Sequence, residues 1–404
     1  MSLAQTLAAV HREQWARVLA ATVRLTRDLD LAEECVQDAF AQALTSWTGG
    51  VPQRPGAWLT TVARNRALDR LRRERVLHQK LPLLVTEPQA PAADEGLDDD
   101  RLRLLFTCCH PALSRDAQVA LTLRLVCGLS TAEVARAYLV SEPAMAARIT
   151  RAKRKIATAR IPYRVPGPDE LPPRVSAVCE VVHLVFTTGH TAPDGPRLVR
   201  YDLVDGAVTV ARLLRLLLPR DAEVAGLLAL LLLVDARRAA RVGPDGRLRL
   251  LAEQDRTLWD AALVAEGAAL LGEALRRAPT RWAVQAAIAA VHAEAPAWEA
   301  TDWDEITGLY DVLLRLWPSP VVRLNRAVAL GLRDGPAAGL AALDPLLDEP
   351  ALAGYGYLSA ARADFLRRLG RRGEAALAYE EALALTANEV ERAFLSTRLD
   401  AVRG

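Results

Sequence analysis

Apolar side chains recur three and four positions apart along almost the whole chain, and no stretch alternates apolar with polar residues as a half-buried strand does. That period commits the backbone to amphipathic helices, so an all-α fold is expected. Aromatic residues make up only 5% of the chain against 51% hydrophobic, so the cores must be built mainly from Leu, Ala and Val, which suit helices better than sheets. A chain of 404 residues exceeds one ordinary core and predicts two to three domains.

Breaks in the period mark the boundaries. Residues 1–75 read as a first helical unit. Residues 76–100 read as an acidic linker, with Pro82, Pro88 and Pro91 and, after Lys80, only acids: Glu87, Asp94, Glu95, Asp98, Asp99 and Asp100. A second helical unit covers 101–160 and ends at the proline-rich IPYRVPGPDELPP. A helical extension fills 161–404. In it Tyr310 and Tyr379 stand two periods of a helical-hairpin repeat apart, and Ala363, Ala375 and Ala382 are spaced for close helix packing, so about 301–400 resembles tetratricopeptide repeats.

Charge is distributed unevenly. Residues 1–160 carry 23 basic and 17 acidic side chains, the remainder 28 and 32, so a polyanionic partner belongs to the front of the chain. The segment WLTTVARNRALDRLRRER, Trp58 to Arg75, has six arginines opposed only by Asp69 and Glu74, with Trp58, Val62, Ala63, Ala67 and Leu71 as an inward stripe. In GLSTAEVARAYLVSEPAMAARITRAKRKI, Ser130 and Glu133 form a capping box, Tyr138 to Val140 a turn, and Ser141 caps a second helix with Pro143 in its first turn. That helix holds Arg148, Arg151, Lys153, Arg154 and Lys155, and its pattern is a helix-turn-helix suited to the DNA major groove. Upstream, DLDLAEECVQDAFAQAL turns Leu31, Cys35, Val36, Ala39, Phe40, Ala43 and Leu44 inward and leaves Glu33, Glu34, Gln37, Asp38 and Gln42 outside, an acidic face for docking to a basic protein surface.

These three blocks, in this order, resemble a bacterial sigma-70 family factor of the extracytoplasmic-function type, in the subgroup with a tetratricopeptide-like C-terminal extension. The resemblance implies two small sigma-type helical domains followed by a large helical tail. Its partners would be core RNA polymerase and promoter DNA, with the tail regulating activity through contact with the sigma domains. Glu34, Gln37 and Asp38 fall on the polymerase-docking positions. Arg64, Asn65, Arg66, Arg70 and Arg73 fall on the helix that reads and melts the −10 element. Ser141, Ala144, Arg148, Arg151, Lys153, Arg154 and Lys155 fall on the −35-reading helix, where Ala144, Ala146 and Ala147 replace the polar or basic residues of many members. The acidic linker would lie in the channel that later holds nascent RNA.

Other signals are weaker. Cys35, Cys108, Cys109, Cys127 and Cys179 lie in apolar patterns and read as reduced core thiols, and Cys108, Cys109 and His110 lack the partner ligands of a zinc site. No metal or cofactor is expected. FTTGHTAPDG, Phe186 to Gly195, holds His190 and Asp194 in a polar loop without a nucleophile or phosphate-binding glycines, so it reads as a contact surface for the sigma domains, and the chain as no enzyme. The start has no signal-peptide pattern, and the longest apolar run, Val224 to Val234, is too short to span a bilayer, so a cytoplasmic protein without membrane contact is expected. Two rival readings are a one-component helix-turn-helix regulator with a ligand- or protein-sensing tail, and a tetratricopeptide-like scaffold.

Overall fold

A computed structural model describes residues 3–78, 97–137 and 140–404. The chain forms two compact units, Met1–Val185 and Phe186–Gly404. In the first lie α1 (Leu3–Thr26), α2 (Leu29–Ser46), α3 (Pro55–His78), α4 (Leu97–Cys108), α5 (Arg115–Leu121), α6 (Thr131–Ala137), α7 (Glu142–Thr158) and most of α8 (Leu171–His190). In the second lie β1 (Asp194–Gly195), α9 (Tyr201–Leu217), α10 (Ala222–Asp235), α11 (Ala261–Arg277), α12 (Arg281–Glu294), α13 (Trp303–Leu316), α14 (Pro320–Arg333), α15 (Pro336–Leu343), α16 (Gly356–Arg368), α17 (Arg372–Leu385), β2 (Ala387–Asn388) and α18 (Glu389–Arg403). The fold is all-α, as the period predicts.

Helices α1, α2 and α3 pack pairwise on one another around Trp15, Leu19, Ala32, Cys35, Val36, Ala39, Leu59, Ala63 and Ala67, all buried. Asp28 starts α2 by accepting from the backbone N–H groups of Asp30 (2.8 Å) and Leu31 (3.0 Å). The inward face of α2 is rotated from the expected one: Leu44 is exposed, while Leu29, Ala32 and the side chain of Glu33 are buried. Trp58 is half-buried, edge-on to Trp47 at 5.4 Å, and the next residue, Leu59, fills the core.

The expected acidic linker is shorter than 76–100, because α3 reaches His78 and α4 begins at Leu97. Glu87, Asp94 and Glu95 lie outside the described residues, as do the side chains of Asp98 and Asp99. Asp100 is no linker carboxylate: it is fully buried in α4 between Arg103 (2.7 Å) and Arg24 of α1 (3.1 Å). The proline-rich stretch after α7 is stitched to the same place, the Tyr163 hydroxyl donating to the carbonyls of Ala20 (2.9 Å) and Asp100 (3.0 Å).

In the second unit, the apolar run of α10 is buried on all sides, by α9, α11 and α12. From α13 to α18 each helix packs on the next, the stacking that a repeat pattern requires. Ala363, Ala375 and Ala382 are fully buried where α16, α17 and α18 meet. Of the expected Phe186–Gly195 loop, the first five residues continue α8 to His190. The part after α8 is clasped within the second unit: β1 pairs in parallel with β2, and the buried Asn388 amide donates to the carbonyls of Ala192 (3.0 Å), Arg197 (3.0 Å) and Asp194 (3.4 Å).

Candidate nucleic-acid interface

The helix-turn-helix is built from local signals. Gly128, at φ 73°, makes the turn into α6, a backbone conformation that a side chain disfavours. Ser130 and Glu133 cap α6 reciprocally, Ser130 N–H donating to the Glu133 carboxylate at 2.7 Å and Glu133 N–H to the Ser130 hydroxyl at 3.2 Å. Ser141 caps α7 through the Ala144 N–H (3.4 Å), and Pro143 sits in the first turn where no helical donor is lost. Residues Tyr138 and Leu139 of the expected turn lie outside the described residues.

Met145, Ile149, Ala152 and Ile156 form the buried stripe that seats α7 against α5 and α6. The opposite face presents Ser141, Ala144, Arg151, Arg154 and Lys155 to solvent. Arg148 is half-buried and lies 3.6 Å from Asp116. The structure therefore brings together six of the seven expected residues of this helix.

Lys153 is the exception. It is 8% exposed, and its Nζ meets Asp30 at 2.7 Å and Glu33 at 2.6 Å, both on α2. Arg124 closes the cluster from the segment before α6 by pairing with Glu33. Burial opposes the Lys153 charge, but the Glu33 and Asp30 carboxylates outweigh it and hold its pKa above the usual lysine value. Lys153 thus joins α7 to α2 instead of facing outward. The signal was present, since 153 is four residues after Ile149 and three before Ile156, on the buried stripe. Glu33 was misplaced with it.

On α3, Arg64, Asn65, Arg66 and Arg73 are exposed. The structure sets two expected sites face to face: Arg70 pairs with Glu34 and, at 3.2 Å, with Asp38, while Arg66 reaches Gln42 (3.2 Å) and Asp38 (3.8 Å). Gln37 donates to Glu33 at 3.3 Å. Each α2–α3 ion pair is substantially exposed, so each contributes about 0–1 kcal/mol and is weakened by salt. Such pairs hold arginines in place without removing them from competition by a polyanion.

All five cysteines are free, and all but the half-buried Cys127 are buried. Burial raises the Cys109 thiol to about 11 and Cys127 to about 12, which keeps both protonated at neutral pH. Among the described residues no three His, Cys, Asp or Glu side chains cluster as a metal site requires. No described helix is long and apolar enough to cross a membrane.

Comparison with known proteins matches these elements. The family described as Sigma-70 region 2 matches residues 13–76, covering most of α1 to α3, and that described as Sigma-70, region 4 matches 103–156, covering α4 to α7. Residues 174–275 match a family of unknown function, DUF6596. A protein of Rhizobium meliloti with no assigned function is 44% identical over 394 residues, 95% of this chain and 93% of its own. The ECF RNA polymerase sigma factor SigK of Mycolicibacterium vanbaalenii is 31% identical over 138 residues, 33% of this chain and 70% of its own. SigK of Mycobacterium sp. strain KMS is 31% identical over 134 residues, 31% and 68% of the two chains. The chain therefore belongs to the extracytoplasmic-function type of the sigma-70 family, DNA-binding factors of transcription initiation.

Proposed function

We propose that the chain binds core RNA polymerase through Glu34, Gln37 and Asp38, melts and reads the −10 element with Arg64, Asn65, Arg66, Arg70 and Arg73, and reads the −35 element with the outer face of α7. The observation that carries this reading is that outer face, where Arg151, Arg154 and Lys155 are exposed on a capped helix whose other side is fixed by Met145, Ile149 and Ile156. An N-terminally capped helix directs its first residues at base edges and its basic end at phosphates. Unstacking a base costs a few kcal/mol, which protein–base contacts of about 1–3 kcal/mol each offset. Melting then needs no nucleotide hydrolysis. The second unit acts as a built-in regulator, and a cytoplasmic place of action follows.

Elements about 25 base pairs apart are separated by about 85 Å along DNA. A compact unit of 185 residues has a radius of gyration of about 16 Å. The unit must open for α3 and α7 to grip both elements. Residues 79–96 supply up to about 60 Å of chain for this. Opening separates α4 from α1 and breaks the Lys153–Glu33 contact, so the closed unit is the form before polymerase engagement.

Co-elution with core polymerase and promoter binding with and without it test the reading. The full chain should bind core, and should hold promoter DNA tightly only in its presence. Tight sequence-specific binding by the chain alone would favour a one-component regulator, and absence of polymerase association would favour a scaffold. Arg148→Ala should weaken initiation at −35-dependent promoters and leave polymerase binding intact.

A further inference from the structure

The second unit contains a cavity of about 510 Å³ that the transcription reading does not use. It is lined by the buried rings of Phe365 and Tyr379 and by the loop at Thr191–Pro193 that Asn388 clasps. Tyr355 and Tyr357 stand on one side, their rings 5.2 Å apart and tilted by 57°, so they offer two faces at an angle. The Tyr357 hydroxyl donates to Glu391 Oε1 at 2.6 Å.

Glu391 is the unusual member. It is half-buried, and burial raises its carboxyl pKa despite the Tyr357 hydrogen bond and the opposing charge of Arg241, which lies beyond ion-pair distance; among the described residues no direct ion pair holds it. The neighbouring charged groups each have nearer hydrogen-bond or ion-pair partners than Glu391. Asp364 pairs with Arg367 at 2.6 Å, Arg398 reaches Glu253 at 3.3 Å and lies over the Phe394 ring, and Arg241 donates to the His190 carbonyl and to the Thr191 hydroxyl at 3.0 Å. A cavity of this size, mostly apolar and with a carboxylate among aromatic rings that no direct ion pair holds, matches a small ligand with a cationic head and an apolar body.

We propose that this cavity binds a small organic cation, an amine or quaternary ammonium on an aromatic or aliphatic body, with Glu391 as its counter-charge and Tyr355 and Tyr357 as its aromatic walls. The cation forms the direct ion pair that Glu391 lacks, and its body covers Phe365 and Tyr379. The binding is a property of the second unit and stands independently of polymerase engagement.

Isothermal titration of the full chain with benzyltrimethylammonium tests it, with phenylacetate and benzyl alcohol as anionic and neutral comparators. The cation should bind one to one with a dissociation constant at or below about 1 mM. Both comparators should bind at least about tenfold more weakly, the difference one desolvated cation contact makes. Glu391→Gln and Tyr357→Leu should each weaken the cation about tenfold. Circular dichroism of each variant checks folding, and Tyr357, 47% exposed, tolerates replacement even if Glu391→Gln does not fold. Equal or tighter binding of phenylacetate, unchanged affinity in folded variants, or no cation binding to the wild-type chain would overturn the proposal.

Discussion

At the scale of single residues, the most consequential side chain is Lys153, because it exchanges an expected DNA contact for a buried one. Its Nζ is shared by Asp30 and Glu33, and Arg124 adds a second cation to Glu33. Removing Lys153 leaves Glu33 paired with Arg124 and Asp30 67% exposed, so the loss is that of buried charged hydrogen bonds, about 1.5–3 kcal/mol, not that of a stranded charge. Lys153→Met should therefore destabilise the first unit by that amount in urea unfolding of the full chain, whereas Arg154→Ala on the exposed face should change stability by less than about 0.5 kcal/mol. If the two substitutions were equivalent, the cluster would not hold α7 to α2. Residue type alone made Lys153, Arg154 and Lys155 look alike. Their positions on the helical wheel separate them, and only Lys153 shares the arc of Ile149 and Ile156.

At the scale of elements, caps were legible because they are short-range: the Ser130–Glu133 box and the Ser141 cap depend on residues three apart. Helix phase was harder to read. The stripe on α2 was rotated because Leu44 and Glu33 violate the rule that apolar residues face inward, Glu33 being drawn in by Lys153 and Arg124. The β1–β2 pairing was illegible, since two-residue strands carry no period and their partners lie almost two hundred residues apart. Close helix approach leaves a clearer mark. Gly331 of α14 and Gly339 of α15 bring their backbones together over the Phe365 ring, and a Cβ on Gly331 would overlap that ring and lie 3.0 Å from the Gly339 Cα. Gly331→Ala should destabilise the second unit by about 1–3 kcal/mol, the usual penalty of overpacking, seen as a lowered melting temperature. A raised melting temperature would show that the ring moves aside freely.

At the scale of the whole molecule, the helical class was legible in the sequence because it follows from period and composition, properties averaged over many residues, whereas the boundary of the two compact units at Val185 was not among the expected ones. The cavity at Glu391 was not legible, because it assembles residues from α16, α17, α18 and a loop near residue 192. Stability should also depend on pH. Burial of His292, with the nearby Arg237 and Arg256, lowers its pKa from 6.5 to about 4. Between those values the unfolded chain takes up a proton that the folded chain refuses, so stability falls as pH falls through that window, by up to about 3 kcal/mol. Thermal unfolding at about pH 7 and about pH 4.5 should show the loss, and His292→Gln should reduce it. A variant that loses as much as the wild-type chain would place the acid sensitivity elsewhere.

Two cationic helices of one unit acting on separate promoter elements once polymerase opens that unit is the central claim, and mapping transcript start sites with core RNA polymerase reconstituted with the purified chain tests it most directly. The account predicts discrete starts that require the chain, disappear with Arg66→Ala and Arg70→Ala together, and weaken with Arg151→Ala. Starts indistinguishable from those of core polymerase alone, or unaffected by these substitutions, would contradict it.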